Sequence, residues 1–138
     1  AFFNYYYVLE ALYGNGEWRQ KKIEEEWLNS SDFRGILDWI ITFIKKTPRH
    51  LTSIEKMLKR YNKSLNHEGI VHLLVSARGD THHFFDNPNK LEGTPFNHAL
   101  FESIALITGA MATYAITIRI AEINIAHEAK AATTTSTK

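Results

Sequence analysis

The chain has 138 residues, of which 44% are hydrophobic and 22% charged, and its formal net charge at pH 7 is +1. This length suits one domain with a real core, and the composition is ordinary for a folded globular protein. A near-neutral charge excludes the strong positive field of many nucleic-acid-binding proteins, but it allows local basic patches. Because the chain has no cysteine, a disulfide framework and a thiolate nucleophile are excluded, and we expect a cytoplasmic location.

The ends of the chain and its charge-free stretch set the expected domain organisation. The chain begins Ala1-Phe2-Phe3, with no methionine and no basic signal-peptide head, so we expect a domain cut from a longer protein. We assign residues 1–130 to a single helical domain and 131–138 to a flexible, Thr-rich tail. The charge-free stretch at 103–118 is shorter than the roughly 20 residues that span a bilayer. We therefore expect a buried helix there and no membrane partner.

Helical patterns dominate the first third of the chain. An aromatic segment at 2–13 stops at Gly14-Asn15-Gly16, a composition typical of helix ends. A charged segment at 17–28 carries a sparse apolar stripe at near-helical spacing. Next, Ser30-Ser31-Asp32 offers an N-cap to an amphipathic helix that extends to Lys45-Lys46.

The remaining segments are also predicted to be helical. Pro48 separates the third segment from a shorter basic one at 51–61, and a further helix begins near Glu68. A loop rich in turn residues occupies 86–93. The last element begins at Thr94-Pro95 and, if helical to about Lys130, is roughly 50 Å long.

Two features of this last element leave alternatives open. The alternation of Ile116, Ile118 and Ile120 has the period of a β-strand, but a lone strand would have no partner, so helix is favoured. Ala105, Gly109 and Thr113 form a small-residue seam, which indicates either internal packing or a dimer face. The predicted fold class is all-α, a helical bundle of about five helices with a long C-terminal helix.

The segment Arg78-Gly79-Asp80-Thr81-His82-His83 follows the apolar run at 70–75. It places one guanidinium and two imidazoles, which can bind a phosphate and transfer protons, close together in the sequence. Arginine offers a permanently charged planar fork that matches phosphate oxygens, and histidine can accept or donate a proton near neutral pH. Because RNA supplies its own 2′-hydroxyl nucleophile, metal-free cleavage needs only a base, an acid and a cation. We therefore expect no metal and no other cofactor.

Helical geometry leaves the role of this segment open between catalysis and architecture. In a regular helix Arg78 shares a face with His82 but not with His83, so an Arg78–His83 pair requires a deformation, most easily at Gly79. If the helix is regular there, Arg78 more simply pairs with a buried carboxylate. Glu10, on the apolar stripe of the first helix, is the candidate.

The arginine, four residues and histidine from Arg78 to His83, in an all-α domain of this size, resemble the HEPN superfamily. A narrower resemblance, to the MauJ-type methylamine-utilisation proteins of bacteria, rests on Phe3-Asn4-Tyr5-Tyr6, on Leu9 to Gly14 and on the same arginine motif. The resemblance implies a metal-independent endoribonuclease that brings two motifs together in a homodimer. It assigns catalysis to Arg78 and His83 with support from His82. Many members have a polar residue directly after the arginine; here Gly79 stands there, and that role is left to Asp80.

A basic stretch offers a second possible contact with RNA. Lys56, Lys59, Arg60 and Lys63 lie at helical spacing and could follow an RNA backbone, although such a stripe is more often a solvated face. Two hypotheses remain. The chain is either a HEPN-like ribonuclease with RNA as its substrate, or a non-catalytic HEPN-like dimerisation or regulatory module of a larger protein.

Overall fold

A computed structural model describes residues 1–82 and 98–135, and within these ranges every regular element is a helix. The six helices are α1 (Phe2–Tyr13), α2 (Gln20–Asn29), α3 (Ser31–Lys46), α4 (Pro48–Arg60), α5 (His67–His82) and α6 (His98–Thr135). The predicted all-α bundle with a long C-terminal helix is confirmed. The loop predicted at 86–93 and the start predicted at Thr94-Pro95 lie outside the described residues.

The helix ends follow from local sequence. After α1 the backbone turns through Asn15 and Gly16, whose φ angles of 51° and 75° lie in the left-handed region that glycine and asparagine tolerate best. Ser30 caps α3 as predicted, because its Oγ accepts a hydrogen bond from the Phe33 backbone N–H at 3.2 Å. Pro48 starts α4, where a missing N–H has no cost.

The second helix begins three residues later than its predicted start, because Glu17 organises a turn. Its Oε1 accepts hydrogen bonds from the backbone N–H groups of Trp18 at 3.1 Å and Arg19 at 3.3 Å. The Arg19 side chain also donates to this carboxylate, and these bonds lower the pKa of Glu17 to about 2. The exposed turn therefore precedes α2 rather than extending it.

The core is built around aromatic rings from the first three helices. Trp27 is fully buried, with its ring centroid 5.3 Å from that of Tyr6 and 4.8 Å from that of Phe33. Aliphatic side chains complete the interior, and they include Ile36, Ile40 and Ile44 of α3, Ile70, Leu73 and Leu74 of α5, and Ile104, Ile107 and Met111 of α6. This one cluster joins the six helices.

The helix α5 is continuous from His67 to His82 and therefore passes through Gly79 without a break. It packs mainly against α2, and the Gln20 side chain at the start of α2 occupies the space that a Cβ atom at position 79 would need. The glycine thus leaves room for the side-chain amide of Gln20, and the helix deformation considered from the sequence is not present within the described residues.

The last helix has two environments along its length. Its 38 residues extend about 57 Å. The first half packs against α1, α3 and α4, whereas every side chain from Arg119 to Thr134 is exposed. The strand-like alternation at 116–120 is helical, and the helix includes residues 131–135 of the predicted tail. At Gly109, the small-residue seam contacts the Tyr5 ring of α1, because a Cβ atom there would lie 2.9 Å from this ring, which is itself partly exposed.

By length and composition alone, α6 could also cross a membrane. Its segment Phe101–Thr134 has a mean hydropathy of 1.6 in the most apolar window, of which 33% is buried in the bundle. Core helices of proteins without a membrane domain have the same properties. The expectation that the chain has no membrane partner therefore stays a prediction.

The central position of Trp27 can be tested by substitution. We expect Trp27→Ala to lower the free energy of unfolding by about 3–5 kcal/mol, because it removes a fully buried ring from between two others. Trp18→Ala is the matched control, since that ring is 71% exposed, and it should change stability by less than about 0.5 kcal/mol. Urea denaturation followed by circular dichroism measures both. Equal losses would contradict the described core.

Candidate functional site

Arg78 lies on α5 where this helix meets α1. Its side chain is half-buried, and its Cζ atom is 5.9 Å from the centroid of the Tyr6 ring, over the ring face. The Tyr6 ring is fully buried, so this cation–π contact directs the guanidinium toward the bundle interior. The permanent charge of Arg78 therefore interacts with a buried ring of the same chain.

Glu10, on α1, also acts on the Tyr6 phenol. Its Oε2 atom is buried and has no hydrogen-bond partner within the described part of the chain. Burial raises the pKa of the Tyr6 phenol above its usual range, the negative charge of Glu10 adds to this rise, and Arg78 opposes it. Arg78 and Glu10 thus act on one phenol from two helices. A direct hydrogen bond between them is not among the contacts of the described residues.

Asp80 joins two helix ends. The Tyr61 hydroxyl, just after α4, donates a 2.7 Å hydrogen bond to Asp80 Oδ2. Burial, and next this hydrogen bond, raise the pKa of Tyr61 above its usual range. The carboxylate that the resemblance assigned to catalytic support therefore also anchors the end of α4 to α5.

A second polar chain, which the sequence did not predict, runs from α2 along α5. Glu24 Oε1 lies 3.1 Å from His72 Nδ1, and His72 Nε2 lies 3.3 Å from Ser76 Oγ. The Tyr61 ring packs edge-on against His72 with centroids 5.4 Å apart. Only the four-residue spacing of His72 and Ser76 was visible in the sequence, because Glu24 and Tyr61 come from other helices.

In the hydrogen-bonded series Glu24, His72 and Ser76, a carboxylate, an imidazole and a hydroxyl follow one another as in a nucleophilic triad. The surrounding backbone, however, does not suit acyl transfer. Ser76 lies within the unbroken helix α5, where backbone N–H groups bond to carbonyls one turn earlier. No free pair of N–H donors is thus available beside the hydroxyl to stabilise an oxyanion. We interpret the Glu24–His72–Ser76 chain as a polar tie between α2 and α5.

The histidines of the motif are only partly described. His82 is the last described residue of α5, four positions after Arg78. His83 lies outside the described residues. The pairing of Arg78 with His83 therefore stays a prediction.

The predicted RNA-binding residues lie at the end of α4. Lys56, Lys59 and Arg60 are exposed on this helix, and Lys63 is exposed in the turn that follows. The hydrogen bond from Tyr61 to Asp80 brings this end of α4 beside the end of α5. Basic side chains and the arginine motif therefore occupy the same end of two neighbouring helices.

A separate cleft of about 460 Å³ lies between the end of α1, the α2–α3 junction and α6. Its ionisable groups include Glu26, Asp32 and Glu122, and Arg119 contacts Glu122 at 2.8 Å. Burial raises the pKa of Tyr13 in this cleft, and the neighbouring carboxylates contribute. This acidic character does not suit a phosphate, and none of the described residues predicted for the site lines the cleft.

Neither a metal cluster nor a known relative assigns a role to these residues. Within 1–82 and 98–135, no group of three or more histidine, aspartate or glutamate side chains is placed to hold a metal ion. In comparisons with protein-family models, curated proteins and solved structures, the chain has no match. The resemblance to the HEPN superfamily therefore stays a prediction from the motif.

Alkaline titration tests the two phenols with raised pKa values, the buried Tyr6 and the half-buried Tyr61. Because folding raises both pKa values above the ordinary 10.0, the unfolded chain loses these protons first. The contribution of these two protonated phenols to the free energy of unfolding is fully present below about pH 10 and is lost as the pH rises further. We expect the free energy of unfolding to decline less steeply with pH in Tyr61→Phe than in the wild type. Tyr7→Phe, at a ring that is 46% exposed, is the control; equal slopes in all three proteins would contradict this description.

Proposed function

We propose that this chain is a HEPN-like helical module, bacterial and cytoplasmic, that acts by association as a dimerisation or regulatory domain and does not cleave RNA. The observation that carries this proposal is the position of the Arg78 guanidinium over the fully buried Tyr6 ring. An arginine that stabilises a phosphorane must turn its planar fork toward the phosphate. Arg78 instead directs its charge toward the bundle interior.

The surroundings of Arg78 support the same proposal. The Glu10 carboxylate, of which one oxygen is buried and which acts on the same phenol, would repel a phosphate brought to this guanidinium. The helix α5 is also continuous through Gly79, so the deformation that an Arg78–His83 pair was expected to need at this glycine is not present within the described residues. Both features favour an architectural role for the arginine.

A ribonuclease assay in EDTA, combined with stability measurements, tests this proposal. We expect equal trace cleavage of RNA by the wild type, Arg78→Ala and His83→Ala. We also expect Arg78→Ala to lower the free energy of unfolding by about 1–3 kcal/mol, because it leaves the Glu10 charge without its nearby cation. Arg34→Ala, at an exposed arginine of α3, is the matched control and should be close to neutral. Cleavage that disappears in both motif variants would overturn the proposal.

A metal-independent ribonuclease is the second candidate, and the basic end of α4 is the observation that favours it. The exposed side chains of Lys56 and Lys59 lie on the helix whose end Asp80 holds beside α5. An RNA strand along this basic surface would pass the end of α5 that carries the arginine motif. This candidate requires the Arg78 side chain to leave the Tyr6 ring when RNA binds.

Charge reversal separates a specific basic surface from a general charge effect. If RNA binds along α4, the double variant Lys56→Glu with Lys59→Glu should weaken binding at least about 10-fold at low salt and reduce the salt dependence. The matched control is Lys45→Glu with Lys46→Glu, the same charge change at the exposed end of α3. Fluorescence anisotropy with a labelled single-stranded RNA measures both. Equal weakening in the two variants would remove the support for this candidate.

A further inference from the structure

The outer face of α6 carries an apolar stripe that spans both halves of the helix. Its members recur at intervals of three and four residues, and they are Leu106, Gly109, Thr113, Ile116, Ile120 and Ile123. Alternating spacings of three and four are the heptad pattern of helices that pair lengthwise. We call this set the α6 stripe.

The stripe is turned away from the core of its own chain. The side chains that α6 buries in the bundle, such as Ile104, Met111 and Ala115, lie on the opposite face of the helix. Ile116, Ile120 and Ile123 are 42%, 54% and 61% exposed, so exposure increases toward the protruding half. An extended apolar surface of this kind in water is typical of an interaction site.

We propose that the α6 stripe pairs with the α6 stripe of a second copy of this chain, antiparallel, about a two-fold axis between Tyr114 and Ala115. This inference rests on the proposed function, because it names the surface through which the module associates. A two-fold axis requires the same patch to be complementary to itself. The stripe meets this requirement in size and in charge.

The size argument comes from the two halves of the stripe: two of the three residues in its N-terminal half, Gly109 and Thr113, are small, and all three in its C-terminal half are isoleucines. The facing pairs in this register are Leu106 with Ile123, Gly109 with Ile120, and Thr113 with Ile116 of the partner subunit. Around Gly109 the surface forms an open groove of about 540 Å³, bordered by the rings of Tyr5, Trp39 and Tyr114. The exposed Ile120 side chain of each copy would enter the groove of the other beside the Tyr5 ring, which already packs against Gly109.

The charge argument comes from the ends of the same register. Glu102, which Arg49 contacts at 2.8 Å, would lie opposite His127 of the partner subunit, and Glu128 follows directly. A carboxylate therefore faces an imidazole at each end of the register. Both side chains are at exposed positions, so this complementarity favours register more than affinity.

The dimensions are sufficient for a specific dimer. From Leu106 to Ile123 the helix rises about 26 Å, and with the flanking aromatic rings two copies would bury on the order of 1,000 Å². The small residues Ala105, Ala110 and Thr117 beside the stripe permit close approach. A bilayer fits less well, because Arg119 and Glu122 lie near the middle of the apolar segment, where charge is costly in hydrocarbon.

Analytical ultracentrifugation of the full chain tests the proposal with two matched variants. We expect a concentration-dependent dimer. Its dissociation constant should rise at least about 100-fold in Ile120→Lys, because the two-fold symmetry places the new charge twice between the paired α6 stripes. Ile125→Lys is the control, since this side chain is 67% exposed on the same helix but off the stripe, and it should leave the dimer unchanged. Circular dichroism confirms that both variants are folded.

Cross-linking tests the antiparallel register, and the absence of native cysteine makes each introduced thiol unique. In an oxidised mixture of Leu106→Cys and Ile123→Cys proteins, we expect disulfides mainly between the two different variants. Disulfides mainly between identical variants would overturn the antiparallel arrangement.

The remaining outcomes overturn the proposal in distinguishable ways. A wild-type monomer at about 100 µM, or equal loss of the dimer in both lysine variants, would remove the stripe as the interface. Flotation of the chain with vesicles of phosphatidylcholine and phosphatidylglycerol, abolished by Ile120→Lys, would assign the stripe to a membrane instead. The RNA cleavage assay reports separately on the absence of catalysis, so the surface and the proposed function can fail independently.

Discussion

The packing of Trp27 between Tyr6 and Phe33 is the contact on which the rest of the structure depends. These rings come from three different helices and are fully buried, so their contact fixes the relative positions of α1, α2 and α3. Once α1 is fixed, Tyr6 offers one ring face to Arg78, and Tyr5 packs against Gly109 of α6. The candidate site and the exposed helix are thus both positioned by one aromatic cluster.

The charge of Arg78 is a second constraint, because guanidinium cannot lose its proton at ordinary pH. In this bundle it is placed over a buried ring, near a buried carboxylate and on a continuous helix. These contacts stabilise α5 against α1 and reduce the freedom of the arginine to meet a phosphate. The Glu24–His72–Ser76 chain and the Tyr61–Asp80 bond tie the same helix to α2 and α4. The polar groups of α5 therefore connect helices, and this arrangement supports association over catalysis as the proposed function.

The helix α6 shows how one apolar sequence can serve two surfaces. One face supplies core residues such as Ile107 and Met111, while the opposite face carries the α6 stripe. Because the other helices cover only the first half of α6, the second half extends beyond the bundle with exposed isoleucines. Removing an apolar face of this length from water lowers the free energy of the system. The proposed pairing with a second copy would provide that burial without any change in the fold.

The sequence by itself determined the helices, because their signals are local. Glycine and asparagine after α1, the Ser30 cap of α3 and Pro48 at the start of α4 act within a few residues, and the apolar periodicity specifies each buried face.

Only the tertiary structure decided the roles of individual polar residues. The sequence allowed Gly79 to break α5, but the helix is continuous there and the Gln20 amide from another helix lies beside this glycine. It placed Glu10 near Arg78 but could not reveal that they meet at Tyr6, nor that Glu24 and Tyr61 approach His72. Such contacts join residues far apart in the chain, so no local pattern specifies them.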